Sequence, residues 1–101
     1  MILREKDRER LLTIFSMLSI PVEVWAYGSR VKGTAHSGSD LDLVIRSQNL
    51  KRIPSDIFSQ LKETIHDSTI PILIDIKDWA TIPESFHKNI LQQYEVFFKN
   101  I

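Results

Sequence analysis

Leu11, Leu12, Phe15 and Leu18 recur at helical spacing behind a charged opening, which predicts an amphipathic helix over roughly residues 3–18. Ile20-Pro21 ends it, because the residue before proline is pushed out of the helical region. VEVWAY (22–27) alternates and is rich in β-formers, so it predicts a strand that Gly28 breaks. Residues 29–33 suit a short helix and 34–39 a loop. DLDLVIR (40–46) alternates again and predicts a second strand. Pro54 suits a first helical turn, and Ile57, Phe58, Leu61 and Ile65 give that helix an apolar face. IPILIDIK (70–77) predicts a third strand, apolar enough to be buried on both sides. Thr81 and Glu84 have capping-box spacing with Pro83 in the first turn, and Phe86, Ile90, Leu91, Tyr94 and Phe98 then read as the stripe of a last helix. The order α-β-(α)-β-α-β-α predicts an α/β (α+β) domain in which helices flank a three-stranded mixed sheet.

Composition changes this picture little. The 101 residues fit a single domain, 1–101, with no internal repeat and no obvious linker. Lys+Arg and Asp+Glu both number 13, so the chain lacks the basic surplus of a protein that grips nucleic acid directly. Cysteine is absent, which excludes disulfides and thiolate metal sites. No apolar run is long enough to span a membrane, and the charged opening MILREKDRERLL is unlike a signal peptide, so the expected location is the cytoplasm.

The candidate chemistry lies in residues 28–45, GSRVKGTAHSGSDLDLVI. Successive strand side chains face opposite ways, so Leu41, Leu43 and Ile45 share one face while Asp40 and Asp42 share the other, with Cα atoms about 6–7 Å apart. Two like charges so close repel unless neutralised; either water screens them on a solvated face, or a cation does. Asp75 interrupts the apolar third strand and poses the same choice between a salt bridge to a lysine or arginine and convergence with Asp40 and Asp42. Convergence near the end of the first strand requires the second strand to run antiparallel to the other two. Three oxygen-donor side chains on one rim would suit Mg²⁺, which keeps waters and takes substrate phosphates into its shell, and two such ions can serve a phosphoryl displacement. Gly28 permits a tight turn and close phosphate approach. Ser29 adds a hydroxyl at the start of the short helix, whose free N–H groups can face that phosphate, and Arg30 and Lys32 are nearby cations.

The spacing Gly28-Ser29, ten residues, then Asp40-x-Asp42, with Gly33 and with Ser39 before Asp40, closely resembles the signature of minimal nucleotidyltransferases of the DNA-polymerase-β-like superfamily. Asp75 in ILIDIKDW falls where that family places its third carboxylate, and Val31 stands where alanine is common. The resemblance extends over essentially the whole chain. It implies the nucleotidyltransferase fold and Mg²⁺-dependent transfer of a nucleoside monophosphate, usually AMP from ATP, to a hydroxyl. Asp40 and Asp42 would hold the metals; Asp75 would complete the metal site and help deprotonate the acceptor; Gly28, Ser29, Arg30 and Ser39 would bind the nucleotide. Small stand-alone members resemble antitoxins whose partner is an all-helical HEPN-domain ribonuclease, adenylylated on a tyrosine. Two rival readings are a contact-only antitoxin and transfer to a small molecule; the second needs an acceptor-shaping domain that such relatives carry and these residues do not supply. A chain of this size also leaves one wall of the site to a partner or to a second copy.

Other residues are read as structural. His36 is a solvated loop histidine, His66 and His87 lie on helix surfaces or ends, and Trp25 is core. Trp79 suits either a base pocket or packing. The charges at 4–10 form a solvated helix face.

Overall fold

A computed structural model describes residues 1–36 and 38–101; the expected loop 34–39 therefore includes one residue, Ser37, outside the described set. Helix α1 (Glu5–Ser16) precedes strand β1 (Val22–Tyr27), a single helical turn α2 (Ser29–Lys32) and strand β2 (Leu41–Ser47). Helix α3 (Ser55–His66), strand β3 (Ile74–Asp78), helix α4 (Glu84–Gln92) and strand β4 (Tyr94–Lys99) follow. The sheet has four strands in the order β3-β2-β1-β4. β1 runs antiparallel to both β2 and β4, and β2 runs parallel to β3.

Several expectations are corrected here. The last helix stops at Gln92, because Gln93 turns extended (φ −159°, ψ 114°) and the β-formers YEVFFK follow. Tyr94 and Phe98 continue the i, i+4 spacing of the helix, but they lie on the fourth strand. β2 is antiparallel only to β1. The crossover through α3 returns the chain parallel to β2, and β3 begins only at Ile74. β3 is therefore an edge strand of intermediate burial, with Leu73 just ahead of it exposed. Thr81 forms no capping box. Its hydroxyl donates to the Asp78 carbonyl, while Asp78 itself accepts from the Ala80 and Ile53 amides.

The sheet is covered on both faces. Val22, Val24, Ala26, Leu41, Leu43, Ile45, Ile76 and Phe97 point toward α1 and α3 and meet Leu11, Phe15, Leu61 and Ile65 in the larger core. The alternate residues Trp25, Tyr27, Val44 and Trp79 form a second, smaller cluster with Ile90 of α4. Trp79 belongs to this packing: its ring meets Trp25 edge-on at 5.5 Å and stacks on His87 at 3.9 Å. His87 bonds the Trp79 carbonyl at 2.7 Å. Arg46 lies over both tryptophans, 4.1 Å from Trp25 and 4.7 Å from Trp79.

One charge of the first helix is not solvated as expected. Asp7 is 1 % exposed and accepts from Arg4 Nε at 2.9 Å and Nη2 at 3.2 Å. The open Arg4 arm, not deep protein, covers it. The Arg4 hydrogen bond holds its carboxyl below the usual range, outweighing its burial.

Candidate active site

The ends of three strands meet at one point of the sheet. Asp42 is the second residue of β2 and Asp75 the second of β3; in the parallel ladder they are direct Cα partners. Tyr27 ends β1 opposite Asp42. Because Leu41, Leu43 and Ile76 take the core side, alternation sends Asp42, Asp75 and Tyr27 to the other face. The core thus fixes the register that sets the acids side by side, since a slip by one residue would bury them. Asp40 stands just before β2 and is exposed.

Charge is concentrated here. The Asp42 carboxyl is pushed up, first by burial, then by Asp75 and Asp40, with Lys77 opposing. Lys77 Nζ pairs with Asp75 Oδ2 at 2.5 Å, so Asp75 makes the lysine salt bridge and also lies beside Asp42. The Asp75 side chain is 44 % exposed, which places it on an open rim, not in a buried strand. Tyr27 is 8 % exposed, and its hydroxyl has no protein partner among the described residues. Burial, with the charges of Asp42 and Asp75, drives its ionisation far above the ordinary phenol range, so it is a neutral O–H donor aimed at the acidic end.

The Gly-Ser turn closes on the same carboxylate. Gly28 has φ 80° and ψ −158°, a region essentially reserved for glycine, and a Cβ there would lie 2.3 Å from Asp42 Oδ2. Backbone and carboxylate are in contact because the side chain is missing. Ser29 follows at the start of α2, half-buried. Arg30 is 5 % exposed and donates to the Ser39 carbonyl from Nε (3.1 Å) and Nη2 (2.7 Å) and to the Ile2 carbonyl from Nη1 (2.7 Å). Ser39 Oγ accepts from the His36 amide at 3.0 Å. Arg30 and Ser39 therefore tie the loop that delivers Asp40. His36 and His66 are exposed, as expected.

Among the described residues, no group of three or more His, Cys, Asp or Glu side chains is gathered closely enough to hold a metal ion by itself. The donors still fit a hard divalent cation. They are all carboxylate oxygens, two of them on adjacent paired residues whose mutual repulsion raises Asp42, with the glycine backbone leaving the approach open. An ion that draws the rest of its shell from water and phosphate needs no closed cage.

Sequence reading passed over Lys77 and Tyr27. Strand alternation contained the signal: Lys77 is i+2 from Asp75 and so shares its face, and Tyr27 precedes the turn glycine on a strand whose alternate residues are core. Neither shows its role without the register between strands.

The sequence model of the family described as "Polymerase beta, Nucleotidyltransferase" matches residues 9–100. A protein of Haemophilus influenzae named "Probable protein adenylyltransferase MntA" is 43% identical over 86 residues, which is 83% of this chain and 72% of that protein. Among solved structures, a toxin–antitoxin with AMP-PNP superposes with a TM-score of 0.71 at 17% identity, covering 97% of this chain and 75% of the other. A mutant MntA-HpeT toxin–antitoxin gives a TM-score of 0.70 at 17% identity, covering 98% and 75%.

Proposed function

The chain belongs to the polymerase-β nucleotidyltransferase family and is a nucleotidyltransferase, and from that premise we propose that it transfers AMP from ATP to a hydroxyl of a partner toxin, acting as the antitoxin. The observation that carries the reading is the in-register pair Asp42–Asp75 beside the Gly28 cradle, in a chain similar to a protein named as a probable protein adenylyltransferase.

Asp40, Asp42 and Asp75 are the catalytic carboxylates, and they would hold Mg²⁺, two ions in the full reading. Bound there, the metal supplies charge neutralisation of the triphosphate and of the oxygens that gain charge in the transition state. Gly28 and Ser29 seat the triphosphate: the glycine by leaving room for phosphate against the backbone, the serine by its hydroxyl. Arg30 and Ser39 serve the nucleotide indirectly, by fixing the loop before Asp40. The acceptor oxygen attacks the α-phosphorus, the bond from that phosphorus to the bridging oxygen breaks, and pyrophosphate leaves. Asp75, on the open rim, takes the acceptor's proton. The acceptor is read as a tyrosine of a helical HEPN-type protein. The rim beside Asp75 is open, so positioning in line with the α-phosphate falls to the partner. ATP and such a partner place the reaction in the cytoplasm.

The Lys77–Asp75 pair favours a second reading, since it neutralises one acid without any metal: an antitoxin that works by contact alone. Intact-mass spectrometry separates the two. Incubation of the two co-purified proteins with ATP and Mg²⁺ is expected to add about 329 Da per AMP to the partner (AMP less water, with the proton balance of phosphoryl transfer). No added mass, with the complex intact, leaves contact alone.

A further inference from the structure

We propose that Lys77 is a resident counter-ion of the acidic site, one that leaves Asp75 when a divalent cation enters and then takes a phosphate of the nucleotide. The inference rests on the nucleotidyl-transfer reading above.

Lys77 is the one cationic residue of the edge strand β3, and the alternation of that strand places it on the same face as Asp75. Its Nζ occupies Asp75 Oδ2 at 2.5 Å, so a cation seeking that oxygen competes with it directly. The contact reaches further than one acid. Lys77 is also the group that opposes the push of Asp75 and Asp40 on Asp42. One ammonium thus offsets repulsion at both Asp75 and Asp42. A divalent ion would do the same with greater charge and would repel the ammonium beside it.

The surroundings allow the departure. The lysine side chain is one-third exposed, 33 %, and among the described residues no strand pairs with the outer side of β3. Its Nζ passes 5.8 Å from the Phe86 ring, a weak second resting place. Four rotatable carbons carry a compact charge with three donors, which suits a phosphate as a point charge. A neutral donor of the site, the Tyr27 hydroxyl, has no protein partner among the described residues and stands on the same face.

An edge lysine can also serve only to discourage strand pairing between molecules. The two roles differ in what they do to ligands. Mn²⁺ binding to the nucleotide-free protein and AMP-PNP binding in saturating Mg²⁺ should be measured by calorimetry for wild type, Lys77→Met and Lys77→Arg. Lys77→Met is expected to bind Mn²⁺ about twofold to fivefold more tightly, because an ion pair no longer competes. The same variant is expected to bind AMP-PNP about tenfold or more weakly, because a charge-assisted phosphate contact is gone. Lys77→Arg should lie nearer wild type in both. Opposite signs in one variant are the signature of exchange. Unchanged or weaker Mn²⁺ binding, or unchanged AMP-PNP binding, overturns it, with Lys77→Gln read instead if the methionine variant does not fold. A wild type that binds neither probe overturns the nucleotidyl-transfer reading and the exchange together.

Discussion

Asp42 shows at the residue scale what the site costs the fold. Its carboxyl is raised by burial and by Asp75 and Asp40, so the native state holds its proton to higher pH than the unfolded chain does. Stability therefore falls as pH climbs from the ordinary carboxylate value through the raised one. At neutral pH the ionised group is a net burden. Asp7 has the opposite sign: its carboxyl is lowered by Arg4, and its contribution is present at neutral pH and lost as pH drops through the lowered value. Asp42→Asn is therefore expected to melt at or above wild type at pH 7 without metal, with the difference vanishing toward pH 3–4, while AMP transfer is abolished. Melting curves across that pH range, beside a transfer assay, check it. A variant that melts well below wild type at pH 7 would mean that Asp42 holds the fold together, and the site assignment would fall. Stability is given up at such positions for function.

The turn between β1 and β2 carries a prediction at the scale of an element, because two of its glycines, Gly28 and Gly33, do different work. Gly33 ends α2 at φ 81° and ψ 11°, and a Cβ there would meet none of the described residues within 4 Å. Gly28 combines a more restricted backbone with the 2.3 Å approach to Asp42 Oδ2. Gly33→Ala should cost about 1 kcal/mol, the left-handed penalty alone, and leave ATP·Mg²⁺ affinity within about twofold, well under the tenfold of 1.4 kcal/mol. Gly28→Ala should cost about 1–3 kcal/mol and also weaken the nucleotide, because the carboxylate must move. Urea unfolding and calorimetry on both variants separate the two effects; equal nucleotide loss in both would show that the turn acts only through stability. This turn was legible from sequence because its signals are local: glycine, serine and the strand alternation that follows. The end of the chain was not. Leu91, Tyr94 and Phe98 fit a helical stripe, and only pairing with β1, a partner some 70 residues upstream, makes 94–99 a strand. The direction of β3 was hidden for the same reason, since the apolar run 70–73 resembles strand and postpones the true start to Ile74.

At the scale of the whole molecule, the acids, the glycine turn and the tyrosine whose hydroxyl has no protein partner among the described residues lie on β1, β2 and β3 or at their ends, so the candidate site exists only when the central sheet is assembled. Asp40, Asp42 and Asp75 could be singled out as candidates from sequence, because the Asp40-x-Asp42 spacing is local and Asp75 interrupts an apolar run. That Asp42 and Asp75 are register partners, that Lys77 neutralises one of them and that Arg30 is spent on the loop follow from long-range pairing, which no local pattern encodes. A ligand that bridges three strands must report on global unfolding, not on local fraying, because its binding is lost only with the sheet. Mg²⁺ alone meets an acid set in which Lys77 already neutralises one carboxylate, and ATP alone brings four negative charges toward three carboxylates. Each is therefore expected to move the melting temperature little. Together they complete one another's shells. At about a hundredfold excess over the dissociation constant the linkage contributes about 2.7 kcal/mol, which for a domain of this size is a rise of about 10 °C or more. Asp42→Asn should lose most of that rise while keeping its own unliganded melting temperature. Scanning calorimetry on the four ligand conditions reads this directly. A rise with ATP and Mg²⁺ no greater than the sum of the two separate rises would mean that metal and nucleotide do not share the site built by these three strands.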